Sequence, residues 1–372
     1  MIHVLVIFGT RPEAIKLCPL IHRLQAMPEQ YTVTTAVTAQ HRDMLDQVLD
    51  VFSVIPDYDL NLMQPGQTLS TLTAQILTAL EPVLQSAAPD LVIVQGDTTT
   101  TMTAALAAFY RRIPVAHVEA GLRTGDMGRP FPEEMNRVLT ARLAAWHFAP
   151  TARAAAALAA EGIGCERGFI TGNTGIDAIL EVRRALETGR VALPAWPWLD
   201  PSRHLILVTS HRRENFGAGF ERTARALARI AARPDVQIVY PVHRNPNVAG
   251  PAFRLLAGLS NIVLLDPLPY AAFVDLMRRS RLILTDSGGI QEEAPSLGKP
   301  VLVLREKTER PEAVEAGTVK LVGTDEERIV AESMRLLENG PEYTRMTEVH
   351  NPYGDGHACE RIADILAGMD LR

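Results

Sequence analysis

Cysteine is scarce in this chain, and the three present, Cys18, Cys165 and Cys359, are odd in number and widely spaced. They form neither a disulfide framework nor a metal-ligand cluster, and a reducing, cytoplasmic setting is the simplest expectation. Positive charge is also not in excess. With 37 Lys and Arg against 43 Asp and Glu, a net of −6, the chain does not advertise the basic face that a nucleic-acid partner requires, although a local basic pocket fits that balance. No apolar run is long enough to cross a bilayer, and the N-terminus passes directly into Ile2-His3-Val4-Leu5-Val6-Ile7-Phe8-Gly9, unlike a signal peptide. The glycine spacings of the dinucleotide and Walker loops are missing from the first strand end. So are a Gly-x-Ser-x-Gly elbow and any His, Cys and carboxylate set with metal spacing, which argues against a serine hydrolase and a metal site.

What is present is enough for two cores. A chain of 372 residues that is 47% hydrophobic suits two domains of about 150 to 200 residues each. The first half alternates short apolar runs (Val4 to Phe8, Thr32 to Val37, Leu91 to Gln95, Val115 to Glu119, Trp146 to Ala149) with helical patterns (Pro12 to Leu24, His41 to Val51, Leu69 to Leu84, Thr100 to Tyr110, Glu133 to Leu143). Ala152 to Ala160 reads as a plain helix. The stretch Leu193 to Pro201, rich in proline and tryptophan, is the best linker candidate. Beyond it strands at Leu205 to Thr209, Gln237 to Tyr240, Ile262 to Leu265, Leu282 to Thr285 and Val301 to Leu304 alternate with helices near Phe220 to Ala232, Ala271 to Arg279 and Glu326 to Glu338. This predicts an α/β protein of two doubly wound, Rossmann-like domains facing across a cleft, with ligands at the carboxyl ends of the strands.

The chemistry-bearing residues cluster at those strand ends. Gly9-Thr10-Arg11-Pro12-Glu13-Ala14-Ile15-Lys16 offers a helix N-terminus with two cations suited to a pyrophosphate, or simply a capped helix with solvated charges. Gln95-Gly96-Asp97-Thr98-Thr99-Thr100-Thr101 places Asp97 at a strand end, where it faces the crevice or caps the next helix. His117 to Asp126 and Arg129 to Arg137 carry Glu119 and Glu133; acidic residues in a first turn usually only complement the dipole, but carboxylates gathered in a cleft can serve as acid and base. In the second half, Thr209-Ser210-His211-Arg212-Arg213-Glu214-Asn215-Phe216-Gly217 could clamp phosphate or donate a proton, and His243 takes the equivalent place one strand later. His3 and His204 read as structural. Thr285-Asp286-Ser287-Gly288-Gly289-Ile290-Gln291-Glu292-Glu293 reads as strand, tight turn and helix, a phosphate seat with Glu293 placed to meet ribose hydroxyls, or an ordinary capped turn. Arg11 to Ile15 and Arg310 to Val314 form a short near-repeat, one in each half, whose surroundings diverge.

Taken jointly and in order, these motifs resemble the non-hydrolysing bacterial UDP-N-acetylglucosamine 2-epimerases over nearly the whole chain. The resemblance implies a GT-B-like fold, with a Rossmann-like domain at 1–180 rejoined by a C-terminal helix at about 357–372, here about Ala358 to Met369, and a UDP-binding Rossmann-like domain at 195–356. It implies interconversion of UDP-N-acetylglucosamine and UDP-N-acetylmannosamine without a nicotinamide or a metal, through elimination of UDP, a 2-acetamidoglucal and re-addition, commonly for surface polysaccharides. It assigns Asp97, Glu119, Glu133 and His211 to catalysis. To UDP it assigns Arg11, Lys16, Ser287, Gly288, Gly289, Glu293 and Arg310, with Phe273 near uracil and His243 on the sugar or phosphate. A homodimer is expected on the same ground. The sequence departs from the family where some members bind an activating substrate: Gln40 matches, but Asp43 replaces a second glutamine and Gln64-Pro65-Gly66-Gln67 lacks the arginine. Leu268 stands where some relatives have a polar uracil contact, which leaves base recognition to backbone groups. The competing readings are a GT-B-type UDP-sugar glycosyltransferase, a hydrolysing epimerase and a non-catalytic nucleotide-sugar sensor; the density of acids speaks against the last, since binding alone gains little from burying them.

Overall fold

The computed structural model describes every residue except 40, 41, 65, 193, 194, 339 and 370–372. Gln40 therefore lies outside the described residues, as does the side chain of Asp43. The chain divides into two compact units, Met1–Glu181 with Gly354–Arg372, and Val182–Tyr353.

In the first unit the described strands are β1 (Ile2–Phe8), β2 (Tyr31–Val37), β3 (Tyr58–Asp59), β4 (Leu91–Gln95), β5 (Val115–Val118), β6 (Trp146–Ala149) and β7 (Gly168–Ile170). They pair in parallel in the order β3-β2-β1-β4-β5-β6-β7. Val4 to Phe8 are wholly buried in succession, because a central parallel strand is covered on both faces and cannot alternate. Each such large side chain contributes about 1.5–3 kcal/mol relative to exposure. The helix Ala358–Ala367 belongs to this unit and is anchored there: Asp177 accepts from Ala358 N at 3.2 Å and Cys359 N at 2.9 Å, and Tyr31 Oη donates to Ala363 O at 2.5 Å.

The second unit holds β8 (His204–Thr209), β9 (Val236–Pro241), β10 (Ile262–Leu265), β11 (Leu282–Thr285), β12 (Val301–Val303) and β13 (Val319–Leu321), parallel in the order β10-β9-β8-β11-β12-β13. In both units the strand order reverses beside the unit's first strand, at β1/β4 and at β8/β11. Ligand crevices of doubly wound sheets open at such switch points.

The strands absent from the sequence reading, β3, β7 and β13, have two or three residues each, too short for periodicity to register. The Trp196 to Pro201 stretch is not a free tether. Trp196 Nε1 donates to Asp275 Oδ2 at 2.8 Å, and Gln237 bonds Trp198 O at 2.7 Å and Asp200 N at 3.0 Å, so it packs on the second unit. The units divide instead within the helix Thr174–Glu187.

Candidate active site

Site geometry in the first unit begins at the loop after β1. Gly9 lies so close to two threonines that an added Cβ would stand 2.1 Å from Thr38 Oγ1 and 2.6 Å from Thr100 Oγ1, so only glycine fits. The next helix, Arg11–Gln25, places Glu13 at its third position, and the buried carboxylate divides its oxygens evenly. Oε2 accepts from Gly9 N at 3.1 Å and Thr10 N at 2.7 Å; Oε1 accepts from the hydroxyls of Thr98 at 2.8 Å and Thr101 at 3.1 Å. Glu13 thereby stitches the loops after β1 and β4 together. Burial pushes its carboxyl up, against these four bonds, which favour the charged form.

On that framework Lys16 Nζ meets Glu119 Oε2 at 2.5 Å, and Gln95 Nε2 donates to the same oxygen. Glu119 has φ 61°, left-handed backbone uncommon for a non-glycine residue, which ends β5 at Val118, one residue earlier than the sequence suggests. Asp97 lies at the end of β4, where its Oδ2 takes Arg137 Nη2 at 2.6 Å and its carbonyl takes Asn136 Nδ2 at 2.9 Å. Arg137 also faces Glu134 at 3.2 Å, and Glu134 Oε1 accepts from Thr124 N and Gly125 N, each at 3.0 Å. Glu134, the buried member of the Glu133-Glu134 pair, thus fastens the loop after β5. Glu133 is half-buried and Arg11 exposed, and among the described residues neither side chain makes an ion pair or hydrogen bond.

Beneath this edge two histidines lie with ring centroids 6.4 Å apart. His117 Nε2 bonds Gly96 O at 2.7 Å. Burial, then Arg123 and Arg137, lower His117 to about 4; burial, then His117 and nearby arginines, lower His147 to about 3. Both are neutral at physiological pH.

In the second unit the organising group is Asp286, fully buried just past β11. Its Oδ2 accepts from Ser210 Oγ, His211 N and Arg212 N, each at 2.9 Å, and from Asn215 Nδ2 at 3.2 Å. These bonds fold the loop after β8 across the end of β11. The His211 ring stacks on His243 at 5.5 Å and 18°. Burial lowers the His211 pKa, with Arg212 and His243 adding to the effect and Asp286 opposing it. His243 is exposed, and its Nδ1 accepts from Asn245 N at 3.1 Å, which leaves its ring proton on Nε2.

The helix Gly288–Glu293 is short, and Ser287 precedes it without a side-chain cap bond. Neither glycine has a positive φ. A Cβ would come no closer than 3.7 Å to Arg310 at Gly288, or 3.8 Å to Glu293 at Gly289. The fold itself thus tolerates side chains at both positions, so the sharp turn expected there is not what the pair supplies. Arg310 pairs with Glu292 and lies alongside this turn, Thr308 Oγ1 donates to Gln291 Oε1 at 2.7 Å, and Gln291 Nε2 donates to Ser287 O at 3.1 Å. Phe273 is half-buried in the first turn of the helix Tyr270–Arg279.

A family model described as UDP-N-acetylglucosamine 2-epimerase matches residues 22–367. The chain is also 59% identical over 368 residues to the UDP-N-acetylglucosamine 2-epimerase of Escherichia coli O157:H7, covering 98% of each chain. It belongs to the UDP-N-acetylglucosamine 2-epimerase family. Two solved structures are similar throughout: the Neisseria meningitidis UDP-GlcNAc 2-epimerase bound to UDP-GlcNAc, with 48% identity and TM-score 0.88 over 98% of this chain and 99% of that one, and the S. aureus MnaA-UDP co-structure, with 45% identity and TM-score 0.87 over 98% and 96%. The family is the non-hydrolysing bacterial one, and the two-unit α/β fold is GT-B-like.

Against this family background, the structure joins Lys16 with Glu119, Asp97 with Arg137, and His211 with His243. It gives no direct bond joining Glu133 or Arg11 to these groups. Sequence reasoning missed the roles of Glu13, Glu134, Arg137 and Asp286. Glu13 was accessible, since Thr10 and Glu13 have capping-box spacing; Asp286 and Arg137 act across loops far apart in sequence, which no local pattern reveals. Among the described residues no cluster of three or more metal-ligating side chains forms, and no helix is long and apolar enough to cross a membrane.

Proposed function

We propose that this chain interconverts UDP-N-acetylglucosamine and UDP-N-acetylmannosamine by reversible epimerisation at C2. The observation that carries this reading is the match over nearly the whole of both chains to relatives named for that reaction, one of them solved with UDP-GlcNAc. A carboxylate of the Asp97, Glu119 and Glu133 group takes the C2 proton. The C1–O bond breaks with its electron pair leaving on UDP, and a C1=C2 double bond gives 2-acetamidoglucal. UDP then adds back to C1 as a proton returns to the other face of C2, so no water is consumed.

A C2 proton is not acidic, and the step therefore depends on stabilising the departing diphosphate. Arg11, Lys16, Arg310 and the backbone N–H groups at Ser287, Gly288 and Gly289 serve that purpose, with His211 on the leaving group, His243 on sugar or phosphate, Glu293 on ribose and Phe273 beside uracil. The room for a Cβ at Gly288 and Gly289 supports this division: glycine there is not required by the packing, but it lets a ligand approach the backbone. In the same reading the enzyme is a cytoplasmic homodimer, needs no nicotinamide or metal, and supplies surface polysaccharide precursors.

Incubation with UDP-N-acetylglucosamine in deuterated water, without an acceptor, tests the proposal by NMR. Both UDP-sugars should appear with deuterium at C2. Undeuterated substrate, recovered from folded protein that binds UDP, would overturn it. Free N-acetylmannosamine would identify hydrolysis.

A further inference from the structure

Asp286 has one oxygen overloaded and the other unprovided for. Four donors converge on Oδ2, while Oδ1, on a side chain with no solvent exposure, has no hydrogen-bond partner. A buried carboxylate oxygen left without a donor costs free energy. His211 Nδ1 stands 3.5 Å from this oxygen. That separation exceeds a formed hydrogen bond; active-site bonds often tighten only when substrate is present. The His211 ring stacks on His243.

We propose that Asp286 is a positioning residue for His211: it holds the ring proton on Nδ1, so that the bare Nε2 faces the substrate and can take up a proton, which Asp286 then stabilises as imidazolium. Arg212 and His243 both oppose that charge while Asp286 favours it, so the carboxylate is the group that makes the protonated ring accessible. The inference rests on the role given to His211 above. It follows the logic by which a buried carboxylate fixes a catalytic imidazole in the serine-protease triad, reached here from the second unit's switch point.

The test is the position of the ring proton, read by long-range proton–nitrogen NMR of the full-length enzyme labelled at its histidines, with His211 assigned by its loss in His211→Gln. Wild type should show Nδ1 protonated. Asp286→Asn keeps an oxygen for the four loop donors but turns an amide towards Nδ1, so the proton should move to Nε2 and kcat should fall by about 10²–10⁴-fold with little change in KM. Ser210→Ala, which removes one donor from Oδ2 and leaves Oδ1 alone, should keep the wild-type tautomer. A wild-type ring protonated on Nε2 overturns the inference and needs no variant that must fold. So does an Asp286→Asn enzyme with unmoved proton and unchanged kcat, or a Ser210→Ala ring that shifts as Asp286→Asn does. A fully active His211→Gln enzyme would instead overturn the premise shared with the proposed function, and a wild-type inactive in deuterium exchange would overturn that function alone, since the tautomer is read without turnover.

Discussion

Each unit fastens the loops at its switch point with one buried carboxylate that accepts four hydrogen bonds, Glu13 in the first and Asp286 in the second. The two differ in how the bonds are shared. Glu13 gives two donors to each oxygen, and all of them are backbone amides or hydroxyls without charge. Asp286 gives all four to one oxygen and turns the other towards a histidine ring. A fully satisfied carboxylate can only hold loops in place. One with a spare oxygen beside an imidazole can also respond when that ring gains a proton. The histidine pairs repeat the contrast: His117 and His147 are buried and neutral, whereas His211 and His243 stack at an accessible edge.

The largest effect should come from the groups assigned to chemistry. Glu119→Gln removes the charge that meets Lys16 while keeping the side chain's shape, and Asp97→Asn does the same opposite Arg137. Each should slow deuterium incorporation at C2 by about 10²–10⁴-fold, the usual scale for a general acid or base, with the urea midpoint little changed. A variant that exchanges C2 at the wild-type rate would remove its residue from the catalytic group. Glu13→Ala should behave in the opposite way. It strands two buried backbone amides and two hydroxyls, at a cost of about 3 kcal/mol or more in urea unfolding, while the His211 tautomer stays as in wild type. A shifted tautomer in that variant would break the distinction between the two carboxylates.

How much of this was legible in the sequence follows from range. β1 and β4 are continuous apolar runs ending in Gly9 and Gly96, so strand, turn and helix were readable locally, and the strand-end loops carrying Asp97, Glu119 and His211 were found from that pattern. The capping spacing of Thr10 and Glu13 was equally local. The bonds from Arg137 to Asp97, 40 residues away, and from Ser210 to Asp286, 76 residues away, arise from the parallel ordering of strands and leave no spacing signature. β5 ends one residue before the apolar pattern suggests because nothing in Val118-Glu119-Ala120 announces a left-handed residue at Glu119.

The buried histidines provide the next test. His117 titrates near 4 in the folded protein against about 6.5 in the unfolded chain, so the unfolded state binds the extra proton first. Stability is therefore intact above about pH 6.5 and declines as pH falls towards about 4, by an amount on the order of 3 kcal/mol for this site. Urea midpoints measured across that window should show the decline, and His147→Phe should make it shallower by removing the second buried ring of the pair. An unchanged slope in that variant would show that other groups, not this pair, govern the acid limb.

The smallest change in stability should accompany a clear change in binding. Gly288→Ala adds a methyl where φ is not positive and the nearest atom, Arg310 Cζ, would be 3.7 Å away. A glycine replaced by alanine at a compatible helical position gains about 0.4–1 kcal/mol, chiefly because the unfolded chain loses freedom. The same methyl would stand over the backbone N–H groups assigned to the diphosphate, so UDP affinity should fall by about tenfold or more, equivalent to about 1.4 kcal/mol. Thermal unfolding and UDP titration on one sample separate the two effects. A stabilised variant with wild-type affinity would place the diphosphate elsewhere, whereas a destabilised one would mean that the packing, not a ligand, requires the glycine. Only stability and affinity moving in opposite directions fit a backbone kept bare for the nucleotide, and that pattern would set the second unit's glycine turn apart from Gly9, where the fold alone excludes a side chain.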